Sequence, residues 1–157
     1  MIHTWLTYLD SPGRHLRLCF LDFSKAFDRS GSNVLLEKLF DLSVRTYSIP
    51  WIISFLTNRR QRVMFAVPTS NWLPITVGVP HRTKLGPILF LVMINNLNIP
   101  DPESRTWKYV DDVSLSEGLL RSSNSNIQTS LNTVASWSSS NWMKLNAKKY
   151  KEMRFVS

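Results

Sequence analysis

The chain has 157 residues, of which 19 are Lys or Arg and 11 are Asp or Glu, so its net charge is +8 at pH 7. This length supports one domain with a reasonable core, and the basic balance favours contact with nucleic acid. The single cysteine, Cys19, excludes an intramolecular disulfide, and the three histidines lack the spacing of a zinc site. No signal peptide or membrane-spanning run is evident, so we expect an intracellular protein, without deciding between nucleus and cytoplasm.

The first predicted element is a buried strand at residues 16–21, with the sequence Leu-Arg-Leu-Cys-Phe-Leu. A short and mostly apolar run of this kind is typical of a central strand. Asp22 lies where the strand would end, which is a position from which a carboxylate can reach a site at the edge of the sheet. The alternative is a helix cap or a surface charge that follows a strand.

Two helices are predicted next. Leucines at 35, 39 and 42 fall on one face of a helix that is capped by Ser32 or Asn33 and runs through Leu42. Pro50 opens a second helix at residues 50–58, because proline is well suited to the first helical turn.

A basic cluster follows the second helix, and two strands are predicted at residues 62–67 and 73–77, around a turn at 68–71. The cluster either contacts a phosphate backbone or is a solvated helix end, which suits the helix dipole as well. Its members are Arg59, Arg60 and Arg62.

A rigid loop at residues 78–87 contains two glycines and two prolines. The apolar run after it, residues 88–94, is far too short to span a membrane. Pro87 fits the first turn of a helix, so we predict a buried helix at residues 85–97.

Asp111 and Asp112 are adjacent within a run in which apolar and polar residues alternate. The alternation at residues 107–116 predicts two strands of a β-hairpin, and the Asp-Asp pair is predicted to form the tight turn between them. Adjacent carboxylates repel, so they need a neutraliser, and a divalent cation with oxygen ligands such as Mg²⁺ is the usual one. Together with Asp22 they can hold two metal ions, about 3.5–4 Å apart, for an in-line phosphoryl displacement. The alternative is an ordinary solvated turn.

The remaining pattern predicts a loop at residues 100–104, a polar segment at 122–126, a helix that begins near Ile127 and a short strand at 153–156. Strands and helices are thus mixed, which predicts an α+β fold.

Taken together, these blocks resemble the palm of a reverse transcriptase, and most closely that of LINE-type (non-LTR) retrotransposons. The resemblance implies an antiparallel, polymerase palm-like sheet with a catalytic β-hairpin, packed against helices. It also implies a single partial domain over residues 1–157, with the fingers and thumb largely missing. The motifs that carry the resemblance are Phe20-Leu21-Asp22-Phe23-Ser24-Lys25-Ala26-Phe27-Asp28, Gly78-Val79-Pro80, Leu85-Gly86-Pro87-Ile88-Leu89-Phe90 and Tyr109-Val110-Asp111-Asp112.

The resemblance implies RNA-directed DNA polymerisation, with two Mg²⁺ ions (Mn²⁺ as a substitute) as cofactors. Asp22 and Asp111 would be the main metal ligands, and Asp112 a weaker or indirect one. Lys149 follows Asn146 by three residues, as the family's lysine does, and would protonate the departing pyrophosphate as a general acid. Two neighbouring lysines, Lys148 and Lys151, remain alternatives for this role.

The partners implied are an RNA template, a DNA primer, deoxynucleoside triphosphates and the rest of a retroelement polyprotein. Phe27 would block a ribose 2′-OH, although a core aromatic is the alternative. The residues expected at the nucleotide are Phe23, Phe27, Gly78, Pro80, His81 and Arg82, and those expected at nucleic acid are Arg59, Arg60 and Arg62.

Two departures from the family pattern stand out. His81 and Arg82 replace a Gln-Gly pair, and residues 30–32 are richer in Gly and Ser than usual. Three alternatives accompany the polymerase prediction. The first is a non-catalytic retroelement remnant that at most binds nucleic acid. The second is a viral RNA-dependent RNA polymerase palm, against which Phe27 and Val110 argue. The third is a two-metal nuclease, against which the polymerase-like block at residues 78–90 argues.

Overall fold

The structure, a computed structural model, describes residues 1–29, 31–65, 68–80 and 82–157. They divide into two compact units: Met1–Ser24 together with Asn96–Ser157, and Lys25–Asn95. In chain order the elements are α1 (Ile2–Leu9), β1 (Arg14–Asp22), α2 (Ala26–Arg29), α3 (Ser32–Asp41), α4 (Ile49–Leu56), β2 (Arg59–Gln61), β3 (Leu73–Ile75), α5 (Leu85–Ile94), β4 (Ser104–Tyr109), β5 (Asp112–Leu120), α6 (Ile127–Ser140) and β6 (Lys151–Val156).

The first unit contains a four-stranded antiparallel sheet in the order β4-β5-β1-β6. In β1, the neighbouring residues Leu18 and Cys19 are 1% and 0% exposed. Neighbouring strand residues point to opposite faces, so both faces of this strand are covered. The predicted central strand and the antiparallel arrangement of the sheet are therefore confirmed.

Helix α1 packs on β1 and was missed by the sequence analysis. The ring of Tyr8 lies against Gly118 of β5, where an added Cβ would come within 2.6 Å of the Tyr8 Cζ atom. The glycine thus lets the helix approach the sheet closely. On the sheet, Trp5 contacts Phe20 edge-on, with ring centroids 6.5 Å apart.

Helix α6 is held to the sheet by a buried carboxylate. Glu117 of β5 is fully buried and accepts hydrogen bonds from the Ser125 hydroxyl and the backbone N–H of Asn126, both at 2.5 Å. A carboxylate at a helix N-terminus satisfies a donor that the helix itself leaves unpaired. Glu117 therefore fixes where α6 begins.

The β4–β5 hairpin is present, but its turn lies one residue earlier than predicted. Tyr109 pairs with Asp112, so Val110 and Asp111 form the turn and Asp112 is the first residue of β5. The expectation of an Asp111–Asp112 turn was wrong because the two-residue loop begins at Val110. The φ of Val110 is +51°, a left-handed conformation that costs an L-residue roughly 1–2 kcal/mol.

The second unit is built on the contact between α3 and α5. Both helices were predicted: α3 begins at Ser32, and α5 begins at Leu85 but ends at Ile94, before the predicted end. The buried ammonium of Lys38 donates a hydrogen bond to the Met93 carbonyl at 2.5 Å. The shared apolar core consists of Leu35, Leu39, Leu89, Phe90 and Met93.

The first strand of this unit, β2, lies at a different place from the predicted one. Strand β2 spans Arg59–Gln61 and pairs with β3, whereas the prediction put a strand at residues 62–67. Among the described residues of that range, only Met64 forms an isolated bridge, to Thr69. Among the described residues, no helix is both long enough and apolar enough to cross a membrane.

Candidate active site

Two of the predicted metal ligands face each other at one end of the sheet in the first unit. Asp22 ends β1, Asp112 begins β5, and the two residues are direct cross-strand partners. Side chains of directly opposed residues lie on the same face, with Cβ atoms about 4.5–5.5 Å apart. Asp111 is the neighbouring turn residue, and it is half-buried while Asp112 is exposed.

Asp22 is held by the segment that precedes β6. The Asn146 side-chain amide donates to Asp22 Oδ2 at 3.0 Å, and the Lys149 ammonium lies 3.2 Å from Asp22 Oδ1. The main chain is fixed as well, because Asn146 N donates to the Asp22 carbonyl at 2.8 Å and Ser24 N to the Lys144 carbonyl at 2.7 Å. The segment thereby supplies both a positive charge and an amide to this carboxylate.

The lysine that reaches Asp22 is Lys149. Lys148 is exposed, and Lys151 begins β6 opposite Phe20. Of the three lysines considered for a catalytic role, Lys149 is therefore the one that the fold brings to the carboxylate pair. Its role as a general acid stays a prediction.

Asn146 is a contact that the sequence analysis did not select as a site residue. Its three-residue spacing from Lys149 was the sequence feature that could have identified it. A side-chain amide is neutral, so Asn146 does not stand out among charged or metal-binding residue types.

The donor chemistry of the carboxylate pair suits a divalent cation, since carboxylate oxygens are the ligands that Mg²⁺ prefers. Within the described residues, however, no three His, Cys, Asp or Glu side chains converge closely enough to hold a metal ion together. Both oxygens of Asp22 are engaged by Asn146 and Lys149. The metal-ligand roles of Asp22, Asp111 and Asp112 stay predictions.

Several residues expected at a nucleotide or nucleic acid line one cavity in the second unit. It has a volume of about 740 Å³, and its walls include Phe27, Gly78, Pro80, Arg59 and Arg60. The fold of this unit therefore brings together residues that are far apart in sequence.

The segment around Gly78 is packed tightly against residue 27. Gly78 has a φ of +83°, and a Cβ at this position would lie 2.5 Å from the Phe27 carbonyl oxygen. The next amide, Val79 N, donates to the same oxygen at 2.6 Å. Only glycine satisfies both the left-handed backbone and the close approach.

Arg59 holds the other side of this segment. Its guanidinium donates to the carbonyls of Leu56, Val77 and Gly78, at 2.8, 3.0 and 2.6 Å. Burial lowers the pKa of Arg59 from its ordinary value. The contacts give Arg59 a structural role in the second unit, and its predicted contact with nucleic acid is not tested by them.

The two phenylalanines have different surroundings. Phe27 is half-buried, and its ring lies 4.8 Å from that of Phe90 in the second unit. In the first unit, Phe23 is 3% exposed and its ring contacts that of Trp137, so a contact of Phe23 with a nucleotide would involve its backbone.

The remaining predicted residues are arginines and a histidine. Arg60 is exposed, and the guanidinium of Arg62 lies 4.8 Å from the Trp72 ring centroid. Arg82 is exposed and has a φ of +57°, at the position where the family pattern has glycine. His81 lies outside the described residues.

Known proteins similar to this chain are polymerases. The reverse transcriptase (RNA-dependent DNA polymerase) family matches residues 2–155. A curated relative, the probable RNA-directed DNA polymerase from transposon BS of Drosophila melanogaster, is 30% identical over 141 residues. This match covers 83% of the chain and 15% of the relative.

Solved telomerase structures are similar in fold. Telomerase from Candida tropicalis in complex with the TWJ fragment of telomeric RNA has a TM-score of 0.72 and 14% identity, over 98% of this chain and 28% of the other. The apo enzyme from the same organism, truncated from its C-terminal domain, has a TM-score of 0.69 and 18% identity, over 99% and 34%. At such identities the likeness shows the fold alone.

The family match extends over nearly the whole chain, and the transposon relative agrees with the retroelement resemblance of the motifs. It also favours a reverse transcriptase over a viral RNA-dependent RNA polymerase. The chain therefore belongs to the reverse transcriptase family, and its four-stranded antiparallel sheet, with the hairpin of Asp111 and Asp112, is the palm-like part of that fold.

Proposed function

We propose that the chain carries the palm chemistry of an RNA-directed DNA polymerase, which adds deoxynucleotides to a DNA 3′-OH on an RNA template. The observation that carries the proposal is the pairing of Asp22 with Asp112 beside Lys149. The family description, RNA-dependent DNA polymerase, and the transposon relative support an RNA template. An intracellular setting is part of the same proposal.

Reverse transcriptases in general use divalent metal ions. We propose two Mg²⁺ ions, with Asp22 and Asp111 as the main ligands and Asp112 as a weaker one. When bound, such ions favour deprotonation of the attacking 3′-OH and stabilise negative charge on the triphosphate. A cation at Asp22 Oδ1 would compete with the Lys149 ammonium, since both are attracted to the same oxygen.

Lys149 and Asn146 have distinct roles in the proposal. Once released from Asp22, the Lys149 Nζ atom is the proton donor to the departing pyrophosphate. The Asn146 amide keeps its hydrogen bond to Asp22 Oδ2 and so fixes the orientation of the carboxylate. Asn146 is therefore a positioning residue.

The cavity of the second unit supports the nucleotide part of the proposal. Its residues Phe27, Gly78 and Pro80 are those for which the family resemblance implies contact with the incoming nucleotide. The half-buried ring of Phe27 would exclude a ribose 2′-OH and so favour deoxynucleotides.

Primer extension tests this function. The chain is incubated with an RNA template, a DNA primer, deoxynucleotides and Mg²⁺, next to the double variant Asp111→Asn/Asp112→Asn. The double variant Asp10→Asn/Asp41→Asn is a matched control, because it removes the same two charges from exposed positions. We expect the control to extend the primer like the wild type and the hairpin variant to lose roughly 10²–10³-fold or more.

A third variant, Arg82→Gly, addresses the departure from the family pattern. Glycine adopts a φ of +57° without strain and removes a side chain from the 78–82 segment. We expect faster extension than in the wild type. If the folded wild type and Arg82→Gly both fail to extend, the polymerase proposal is wrong for this chain, and a non-catalytic binder of nucleic acid remains.

A further inference from the structure

A basic pocket lies in the first unit, at the end of β1 that is remote from Asp22. Its volume is about 290 Å³, and its polar walls come from β1, β6 and the chain that follows β5. Leu16 and Leu119 form part of its apolar floor. The polar side chains that line it are those of His15, Arg17, Arg121, Ser123, Ser125 and Arg154.

The register of the sheet explains why these side chains meet. Arg17 is the cross-strand partner of Arg154, and His15 is the partner of Leu119. Residues two apart on a strand share a face, so His15 and Arg17 point the same way. Asp22 is seven residues from His15, so the two residues are about 23 Å apart along the strand. Because this separation is an odd number of residues, their side chains point to opposite faces of the sheet.

A network of hydrogen bonds holds Arg17 rigid. Its Nε and Nη2 atoms donate to Glu152 Oε1 at 2.9 and 2.7 Å, and Nη1 donates to the Ser125 hydroxyl at 2.5 Å. These bonds lower the pKa of Glu152 from its ordinary value, Arg17 being the largest cause. Arg17 is thus an anchor that directs three of its five N–H donors to partners within the protein.

Of the three arginines that line this pocket, Arg121 and Arg154 are the two whose side chains are exposed to solvent. Arg154 is 67% exposed and uses Nε for Glu152 at 3.2 Å, so its two terminal nitrogens remain for another acceptor. Arg121 is exposed, and its amide is fixed by a hydrogen bond to the Gly13 carbonyl at 3.0 Å. The two carboxylates nearby, Glu152 and Glu117, already accept hydrogen bonds.

The pocket has the donor set of a phosphate site. Guanidinium groups match phosphate oxygens with two parallel hydrogen bonds. The hydroxyls of Ser123 and Ser125 already donate to the Leu120 carbonyl and to Glu117, so the arginines are the donors for a phosphate. In a chain of net charge +8, such a pocket attracts a polyanion more strongly than a single small anion. We propose that this pocket, with Arg121 and Arg154 as its main donors, binds a backbone phosphate of a nucleic-acid strand.

The site is separate from the carboxylate pair, and the proposal goes beyond the proposed function because it needs no polymerase activity. It gives the strand a second attachment point on the opposite face of the sheet. If the pocket does not bind nucleic acid, the primer-extension result still stands. If the chain does not extend a primer, the pocket proposal still stands.

Binding of a fluorescently labelled single-stranded RNA to the full chain tests the proposal. The pocket variant is Arg121→Gln/Arg154→Gln, and the matched control is Arg45→Gln/Arg105→Gln, which removes two positive charges from exposed positions elsewhere. We expect the pocket variant to bind about tenfold more weakly, with a salt slope smaller by about 1–2, and the control to remain close to wild type. Equal weakening in both double variants would overturn the proposal, because it would show only the effect of net charge.

Inorganic phosphate and pyrophosphate serve as competitors. We expect them to displace the RNA only at concentrations at which an equal ionic strength of NaCl does so. Specific displacement by phosphate that the pocket variant abolishes would overturn the nucleic-acid assignment and make the pocket a site for free phosphate.

Hydrogen exchange of the wild-type chain keeps the proposal testable if the glutamine variant does not fold. RNA should slow the exchange of amides in residues 14–17 and 119–125. Unchanged exchange in both segments at saturating RNA would also overturn the proposal.

Discussion

At the scale of one residue, hydrogen bonds to Glu117 offset the cost of burying its carboxylate in the sheet. The carboxylate has no exposed surface, and it is tolerated because the Ser125 hydroxyl and the Asn126 amide both donate to it. Nothing in its sequence context, Ser-Leu-Ser-Glu-Gly, distinguishes it from a solvated acid. Its burial follows from long-range packing, which local patterns do not encode.

Replacing Glu117 by Ala should destabilise the first unit. The Asn126 amide would lose its acceptor inside the protein, and a cavity would remain, so we expect a loss of about 2–4 kcal/mol in the free energy of unfolding. Glu37→Ala, at an exposed position on α3, should change it by less than about 0.5 kcal/mol. Urea unfolding followed by circular dichroism measures both, and equal values would show that the Glu117 contacts contribute nothing.

The position of Asp22 could be predicted from sequence, but its partners could not. The apolar run before Asp22 indicates a strand end, whereas Asn146 and Lys149 are 124 and 127 residues away. The turn of the hairpin was misplaced for a related reason. Valine is disfavoured at a positive φ, so local preferences placed the turn at Asp111 and Asp112, while strand pairing placed it at Val110.

At the scale of elements, the connection between β3 and α5 depends on one glycine. Gly78 is enclosed by the backbone of Phe27 and Asp28, and Arg59 binds its carbonyl oxygen. Gly13 also has a positive φ, +75°, but nothing lies within 4 Å of an added Cβ there. The two glycines therefore separate the cost of backbone conformation from the cost of a steric clash.

Gly78→Ala should be more destabilising than Gly13→Ala. The control should lose about 1–2 kcal/mol from the left-handed backbone alone. Gly78→Ala adds a clash with backbone atoms at 2.5 and 2.8 Å, which we expect to cost roughly 1–3 kcal/mol more. Thermal and urea unfolding compare the two variants, and similar losses would contradict the close packing of this segment.

The elements that were predicted best have strong local signals. Helix α5 begins at the predicted residue, Leu85, with Pro87 in its first turn. Helix α3 begins at Ser32 with Gly31 as its N-cap, where a cap by Ser32 or Asn33 was expected. Strand β2 was misplaced because the β-branched residues near 63 and 67 indicate a strand, although strand preference depends on the available partner. Here β3 pairs with Arg59–Gln61 instead.

At the scale of the whole molecule, the chain has two compact units, and in the sequence the second, Lys25–Asn95, is inserted between the two segments of the first. The order β4-β5-β1-β6 joins strands from both ends of the sequence. Helix and strand patterns predicted the α+β class, and the motif resemblance predicted the palm-like sheet. The strand order itself comes from non-local pairing that no local pattern specifies.

The two units should open as separate cooperative units in native-state hydrogen exchange. Each has its own apolar core, so a local destabilisation should affect mainly the unit that contains it. We expect Gly78→Ala to speed exchange in residues 25–95, and Glu117→Ala to speed it in residues 1–24 and 96–157. Uniform acceleration across the chain in either variant would show a single cooperative unit.

The contact between Asp22 and residues 144–149 has a consequence for the order of events during synthesis. At about 5–20 residues per second, a ribosome makes Asp22 roughly 6–25 s before Asn146 and Lys149. Asp112 is also made before them, so the facing carboxylates meet early and repel. Until residue 149 has been made, the Lys149 ammonium cannot offset this repulsion, so the contact of Asp22 with Asn146 and Lys149 is the last to form at this end of the sheet.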